Sequence, residues 1–229
     1  MTIMTSETQT LAIVGGSGAL GGGLALRAAR AGLPVIIGSR TAEKAAEAAA
    51  AIQAEVPGSD VRGLENVEAA KAGGMVVVTV PFASQAATLA AIAPHVAGKI
   101  VVDTTVPLVP PKVARVQLPA EGSAAACAAK TLGDGARLVT GFHNVSAQKL
   151  RGDGSVGCDV LVFGDEPEAR KAVIDLAETM GLRGIHGGVL DNAAAAEAMT
   201  SVLIAINKRY KVAEGAGIRI TGIGEALDA

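Results

Sequence analysis

The sequence predicts an α/β chain built on a doubly wound, mostly parallel sheet, with a small C-terminal helical part. Three observations predict it. Short apolar runs of strand length alternate with helical patterns along most of the 229 residues, as parallel βαβ units require. The run Met75-Val-Val-Val-Thr-Val80 is almost continuously apolar, as befits a strand buried on both faces. Hydrophobic residues make up 50% of the chain, yet it has no Trp, one Tyr and three Phe. Its core must be Ala, Val, Ile and Leu, which suits stacked layers of helix and sheet.

Leu11-Ala-Ile-Val-Gly-Gly-Ser-Gly-Ala-Leu-Gly21 organises the rest. It reads as a strand, a glycine turn and the first turn of a helix, with an amphipathic stretch from Leu24 to Ala31 behind it. Gly16, Gly18 and Gly21 match G-x-G-x-x-G in a Rossmann-like setting. Gly16 is expected to turn the chain off the strand, Gly18 to admit a pyrophosphate, and Gly21 to let helix and strand approach. The helix N-terminus offers free amides and a positive dipole end. Gly16, Ser17, Gly18, Ala19, Leu20 and Gly21 are therefore candidate cofactor contacts. The alternative is a tight turn that binds nothing.

The next strand, Pro34 to Gly38, ends at Ser39-Arg40-Thr41, with Lys44 one helical turn on. An NAD site usually carries Asp or Glu there to bind the ribose 2′-hydroxyl. Here a hydroxyl, a guanidinium and an ammonium stand instead. Arginine suits a phosphate because its planar fork bonds two oxygens at once. Ser39, Arg40 and Lys44 predict NADP(H), while Thr41 is placed to cap the following helix.

Composition excludes other classes. The formal net charge of −2 gives no footprint for nucleic acid. Cys127 and Cys158 make neither a disulfide framework nor a metal-ligand spacing, so no metal is expected. No run approaches the roughly 18 apolar residues of a membrane span. Residues 1–9 read as a flexible tail without the features of a signal peptide, and the expected location is the cytoplasm.

Along the chain, helices are expected over Glu43–Glu55, Glu65–Ala72, Ser84–Ala93, Gly122–Leu132, Ala147–Leu150, Pro167–Met180 and Ala193–Lys211. Strands are expected at Val61–Leu64, Met75–Val80, Ile100–Asp103, Arg137–Thr140, Asp159–Phe163 and Leu182–His186. Thr104 to Pro119 carries four prolines and reads as an irregular loop outside the carboxyl ends of the strands, where α/β ligands bind. Residues 10–140 form the expected NADP-binding unit, and 141–229 a smaller part completing the cleft. Val80, Pro81 and Phe82 end one strand at that rim, and His143 and Asn144 follow another. His143 there either bonds or backs the nicotinamide, or is a structural histidine. The helix with Met199, Val202, Leu203 and Ile206 serves as core, as the seam of a homodimer, or as a docking face.

Gly15-Gly-Ser-Gly-Ala-Leu-Gly21, Gly38-Ser-Arg40 with Lys44, Thr79-Val-Pro81, Phe142-His-Asn144, and Ile206-Asn-Lys-Arg-Tyr210 with Ala216-Gly-Ile-Arg-Ile-Thr-Gly222 occur in this order. In this, the chain resembles the NADPH-dependent reductases of coenzyme F420, the F420:NADP oxidoreductases, from about Leu11 to Ile223. The resemblance implies a soluble oxidoreductase with NADP(H) and F420 as its small-molecule cofactors. It implies reversible hydride transfer between nicotinamide C4 and deazaflavin C5, with Gly217 at the cofactor cleft and Lys208 and Arg219 as candidates for the deazaflavin's anionic chain. His143 is the candidate catalytic residue. One segment departs from the family pattern: Lys211-Val-Ala-Glu-Gly215 is longer than in bacterial members. Related reductase domains share the front motifs and use a true flavin, so FMN or FAD is the alternative acceptor. An NADP(H)-sensing regulatory module is the alternative outside enzymes.

Overall fold

The computed structural model describes residues 10–223; the expected tail 1–9 and the last six residues lie outside them. Eight strands form one sheet in the order β3-β2-β1-β4-β5-β6-β7-β8. They are β1 Leu11–Val14, β2 Val35–Ser39, β3 Val61–Glu65, β4 Met75–Val78, β5 Ile100–Asp103, β6 Arg137–Thr140, β7 Asp159–Gly164 and β8 Arg183–Gly188. The helices are α1 Ala19–Arg30, α2 Ala42–Glu55, α3 Asn66–Ala72, α4 Phe82–Ile92, α5 Ala124–Leu132, α6 Ala147–Arg151, α7 Pro167–Thr179 and α8 Ala193–Tyr210. The order 3-2-1-4-5-6 is that of a dinucleotide-binding doubly wound sheet, whose direction of winding reverses between β1 and β4.

Alternation along each strand builds the two layers, because successive side chains leave opposite faces. Leu11, Ile13, Val35, Ile37, Met75, Val77, Ile100 and Val102 join one cluster with Leu24, Ile52, Leu150 and Val173 from α1, α2, α6 and α7. Ala12, Val14, Ile36, Val76, Val78 and Val101 join the other with Ala70, Leu89 and Ala128 from α3, α4 and α5. The near absence of large aromatic side chains is met by close helix approach. A Cβ on Gly23 of α1 would stand 2.8 Å from the Leu150 Cβ of α6. Buried Arg27, one turn further along α1, closes that contact by donating to the carbonyls of Lys149, Leu150, Gly152 and Gly154 at the end of α6. Its charge is balanced there by carbonyl dipoles at a helix C-terminus.

Pairing in the sheet changes after β6. β1 to β6 run parallel, β7 is antiparallel to β6, with Thr140 opposite Phe163, and β8 is parallel to β7. Core residues from both sides of that change, such as Ile13 and Val160, belong to one cluster. The C-terminal part thus adds two strands to the sheet as well as its helices. Strand β4 stops at Val78, two residues short of the expected end. β1 turns away at Gly15, so Thr79 bonds the last carbonyl of β1, that of Val14, through its amide and hydroxyl before the chain leaves the sheet.

Candidate functional site

The glycine turn sits at the switch point. The residue of the turn in the left-handed region is Gly15, at φ 79°, one position before the motif's first glycine. Gly16 is a glycine for another reason: a Cβ there would meet the Ile13 carbonyl oxygen at 2.7 Å. Gly21 allows α1 to start directly on the turn, since its Cβ would meet Thr79 Oγ1 at 2.5 Å and the Gly16 Cα at 2.7 Å. Gly18 is different. It is the N-cap of α1, and only the Gly15 carbonyl, at 3.2 Å, lies near its missing Cβ. Its outer side faces open space, as an approaching anion needs. The first amide to find its partner in α1 is Gly22, bonded to the Gly18 carbonyl. The amides of Ala19, Leu20 and Gly21 are left at the open helix start. Asn66, which begins α3, accepts from the Gly15 amide at 3.1 Å and holds the turn. It stands 51 residues away, so no local pattern could have revealed it.

Ser39 is buried, and its Oγ is 2.9 Å from that of exposed Ser17, joining the turn to the end of β2. Arg40 and Lys44 are exposed, and neither has an ion-pair or side-chain hydrogen-bond partner among the described residues. Thr41 caps α2 by accepting from the Lys44 amide at 3.4 Å, which leaves the Lys44 ammonium free. A cavity of about 290 Å³ opens beside them, lined by Ser39, Arg40, Glu65, Asn66, Thr88 and Ala91 among others. The sequence reading found no carboxylate at this end of β2. The parallel register sets Glu65 of β3 beside Ser39 and so brings one in from the neighbouring strand.

The opposite rim holds Val80, Pro81 and Phe82. Pro81 is the exposed N-cap of α4, and Val80 and Phe82 are half-buried. A Cβ on Gly15 would touch Val80 Cγ1 at 2.9 Å, so Val80 borders the turn. Across the sheet, Phe142 adopts φ 62°, a strained conformation for a bulky residue of the kind that gathers at functional sites. It delivers His143. That ring is 7% exposed, lies 6.3 Å from the Phe163 ring, and has no hydrogen-bond partner at either nitrogen among the described residues. Burial pushes its pKa down to about 4, so the imidazole is neutral at neutral pH.

Asn144 is placed differently from expectation. Its amide donates to the Ala196 carbonyl and to Thr200 Oγ1, and Thr200 donates to the His143 carbonyl. The side chain is spent on tying this segment to α8. Gly217 is likewise a packing glycine: a Cβ there would collide with Cys158. The tail does run along the His143 segment, since Gly215 lies against the Ser146 side chain and Gly217 near the Asn144 carbonyl. Asp159 of β7 pins the tail by accepting from the Ile220 amide at 2.6 Å. Lys208 and Arg219 are exposed, with no ion-pair partner among the described residues.

Two buried carboxylates were missed. Asp103, ending β5, accepts from Gln85, and from the Thr105 amide and hydroxyl. Glu197 of α8 accepts from the amides of Ala124 and Ala125 at the start of α5, at 2.6 and 2.9 Å. Ser201, one turn on, donates to the Arg115 carbonyl of the proline loop. Residues 196, 197, 200 and 201 therefore form one face of α8 that fastens the His143 segment, α5 and the loop.

Burial pushes the Asp103 carboxyl up to about 6 against its hydrogen bonds. Burial also raises Glu197 to about 7, against its two amide donors and with help from the nearby Asp103 charge. These groups hold protons in the folded state that the unfolded chain has released. Their contribution is full below the ordinary carboxyl values of 3.8 and 4.5 and lost as pH rises through about 6 and 7. His143 has the opposite sign, stabilising less as pH falls from 6.5 towards about 4. Glu197→Gln should therefore lie further below the parent in melting temperature at about pH 5 than at about pH 8. Thermal melts across that range check it; a constant gap would show that Glu197 does not titrate there.

Among the described residues no helix is long and apolar enough to cross a membrane, and no cluster of side chains could hold a metal ion. The family profile described as "NADP oxidoreductase coenzyme F420-dependent" matches residues 10–107. The F420-dependent NADP reductase of Methanothermobacter thermautotrophicus is 43% identical over 224 residues, covering 94% of this chain and 96% of that protein. The F420-dependent NADP reductase of Methanocaldococcus jannaschii is 40% identical over 222 residues, covering 93% and 98%. Among solved structures, a putative F420-dependent NADP reductase from Arthrobacter sp. FB24 superposes with a TM-score of 0.76 at 25% identity, covering 93% of this chain and 99% of that one. With the glycine turn at the switch point and matches running nearly end to end, this chain belongs to the F420-dependent NADP reductase family.

Proposed function

We propose that this chain is an oxidoreductase that transfers a hydride reversibly between NADP(H) and the deazaflavin coenzyme F420. The observation that carries it is the open phosphate turn at Gly18 with the unpaired cations Arg40 and Lys44 beside it. An unpaired guanidinium next to a buried serine, at the end of β2, fits a ribose 2′-phosphate. The turn and the start of α1 take the pyrophosphate, through Gly16, Ser17, Gly18, Ala19, Leu20 and Gly21. The cofactors supply the redox chemistry; the protein orients them and excludes water.

His143 is the residue proposed to orient the rings. An imidazole N–H buried without a partner costs about 1–3 kcal/mol, and a nicotinamide carboxamide or an acceptor carbonyl would satisfy it. A neutral imidazole does this without trading protons, consistent with its lowered pKa. Val80, Pro81 and Phe82 wall the same rim, Lys208 and Arg219 are available for the acceptor's anionic chain, and Asn144 and Gly217 set the shape of the wall. Met199 and Val202 of α8, 39% and 42% exposed, are proposed as the seam of a homodimer. Sedimentation of the parent and of Val202→Glu should show a dimer and a monomer; a monomeric parent rejects the seam.

Charge-assisted bonds to phosphate are worth about 1.5–3 kcal/mol, so Arg40→Ala should weaken NADPH binding roughly 10- to 100-fold and leave NADH little changed. Equal losses for both cofactors would remove Arg40 from the 2′-phosphate. The acceptor is tested by mixing the protein with NADPH and either F420 or FMN in a stopped-flow instrument, where F420 should be reduced and FMN much more slowly. Misplacement by about 1 Å can cost roughly 100-fold in rate. His143→Ala should therefore slow single-turnover transfer on that order while leaving the NADPH dissociation constant within a few-fold. Parent-like transfer would make His143 structural.

A further inference from the structure

We propose that Glu65 reads the exocyclic amine of the cofactor's purine, making the site selective for the base as well as for the 2′-phosphate. The inference rests on the NADP(H) reading above. Pyrophosphate belongs at the start of α1 and the ribose at the end of β2. The next strand outward from the switch point is β3, and a base carried beyond the ribose arrives at its end. There the cavity of about 290 Å³ lies between the start of α3 and one face of α4. Val67, Ala87 and Ala91 give it small apolar walls, and Arg40 stands at its edge. A flat aromatic ring with a guanidinium over its face is what such a slot accepts.

Two of the polar groups around the cavity are engaged within the protein, and among the rest, with Arg40 and Thr88, Glu65 is the one carboxylate. Asn66 Oδ1 holds the Gly15 amide, and Ser39 Oγ is bonded to Ser17. The Glu65 carboxylate has neither a hydrogen bond nor an ion pair among the described residues. An ionised carboxylate only accepts. Adenine presents an N6 amine, two donors, on the edge where hypoxanthine and guanine carry an oxygen. Glu65 bonds the first and repels the second. In an NAD site the acid sits at the end of β2 on the ribose hydroxyl. Here β2 has given that place to Ser39 and Arg40, and the acid stands one strand further out, where it meets the base and not the sugar.

The test titrates NADPH and its hypoxanthine analogue, reduced nicotinamide hypoxanthine dinucleotide phosphate, by fluorescence. The parent, Glu65→Gln and Arg40→Ala are compared, with NADH as a third ligand for each. Glu65 is exposed, and circular dichroism checks that each variant is folded. The parent should bind NADPH roughly tenfold or more tighter than the analogue, the worth of one charge-assisted bond. Glu65→Gln should bring the two within about threefold, because a rotated amide can donate to the analogue's oxygen. No discrimination by the parent, or discrimination unchanged in Glu65→Gln, overturns the proposal. So does an equal gain for both ligands in Glu65→Gln, since the carboxylate then only repels the 2′-phosphate. Failure of the NADP(H) reading shows separately, as a parent that does not prefer NADPH to NADH or an Arg40→Ala variant that keeps the preference.

Discussion

The closeness of the first helix to the end of the first strand is the constraint on which the site depends. Strand β1 has buried neighbours on both sides, β2 and β4, and its two faces feed both core layers. Helix α1 must leave that strand at once and lie back over the sheet. The space between them is smaller than a methyl group at Gly16 and Gly21. Because the helix starts so near the strand, its unbonded amides come to the switch point itself. Arrangement and anion site are one consequence of the same contact. A side chain at Gly21 would have to push α1 off Thr79, and with it the helix start proposed for the pyrophosphate.

The other wall is held by different physics. Beside the small apolar cluster of Ala193 and Ala196 with Ala125 and Phe163, polar groups fasten α8 to α5, the His143 segment and the proline loop, through buried Glu197 and Ser201 and half-buried Thr200. Buried polar bonds add modest net stability, but leaving one unpaired is expensive. They therefore define position more than they add strength. A carboxylate seated on two amides at the start of α5 permits one placement of α8, and α8 in turn fixes the carbonyl of His143 and the amide of Asn144. The strained backbone at Phe142 persists because the elements on either side of it are held in this way.

The sheet was legible in the sequence because its signals are local. Apolar runs, helical spacing and the glycine turn each lie within about a dozen residues, and strand-helix alternation sets the parallel order. Arg40 was legible for the same reason: the end of β2 follows directly from the strand. What escaped depended on pairing between distant segments. Asn66 on the Gly15 amide, Glu197 on α5 and Asp103 with Gln85 are partners far apart in the chain, with ordinary surface-type side chains. Gly16 was legible as a turn residue from the pattern, while Gly15, outside it, shows its left-handed backbone only in the structure. The internal contacts of Asn144 and Gly217 were not legible either, since a sequence does not show which way side chains are committed.

Glu65 shows how register converts a local motif into a site. Read alone, Ser39-Arg40-Thr41 is a cationic end with no acid in it. Parallel pairing of β2 with β3 places Ser39 opposite Glu65, and the same pairing, continued through α3, seats Asn66 under the turn. Both residues come from one tripeptide, Glu65-Asn66-Val67, that has no motif of its own. Its three members line one pocket differently: a carboxylate without a partner among the described residues, a side chain that holds the glycine turn, and an apolar wall. A one-residue slip of β3 would turn Glu65 to the other face of the sheet and detach Asn66 from Gly15. The buried Val61 at the other end of β3, paired with Val35, guards against that slip. The place of Glu65 and Asn66 beside the proposed dinucleotide site is thus set by the hydrophobic register of a strand that carries no fingerprint.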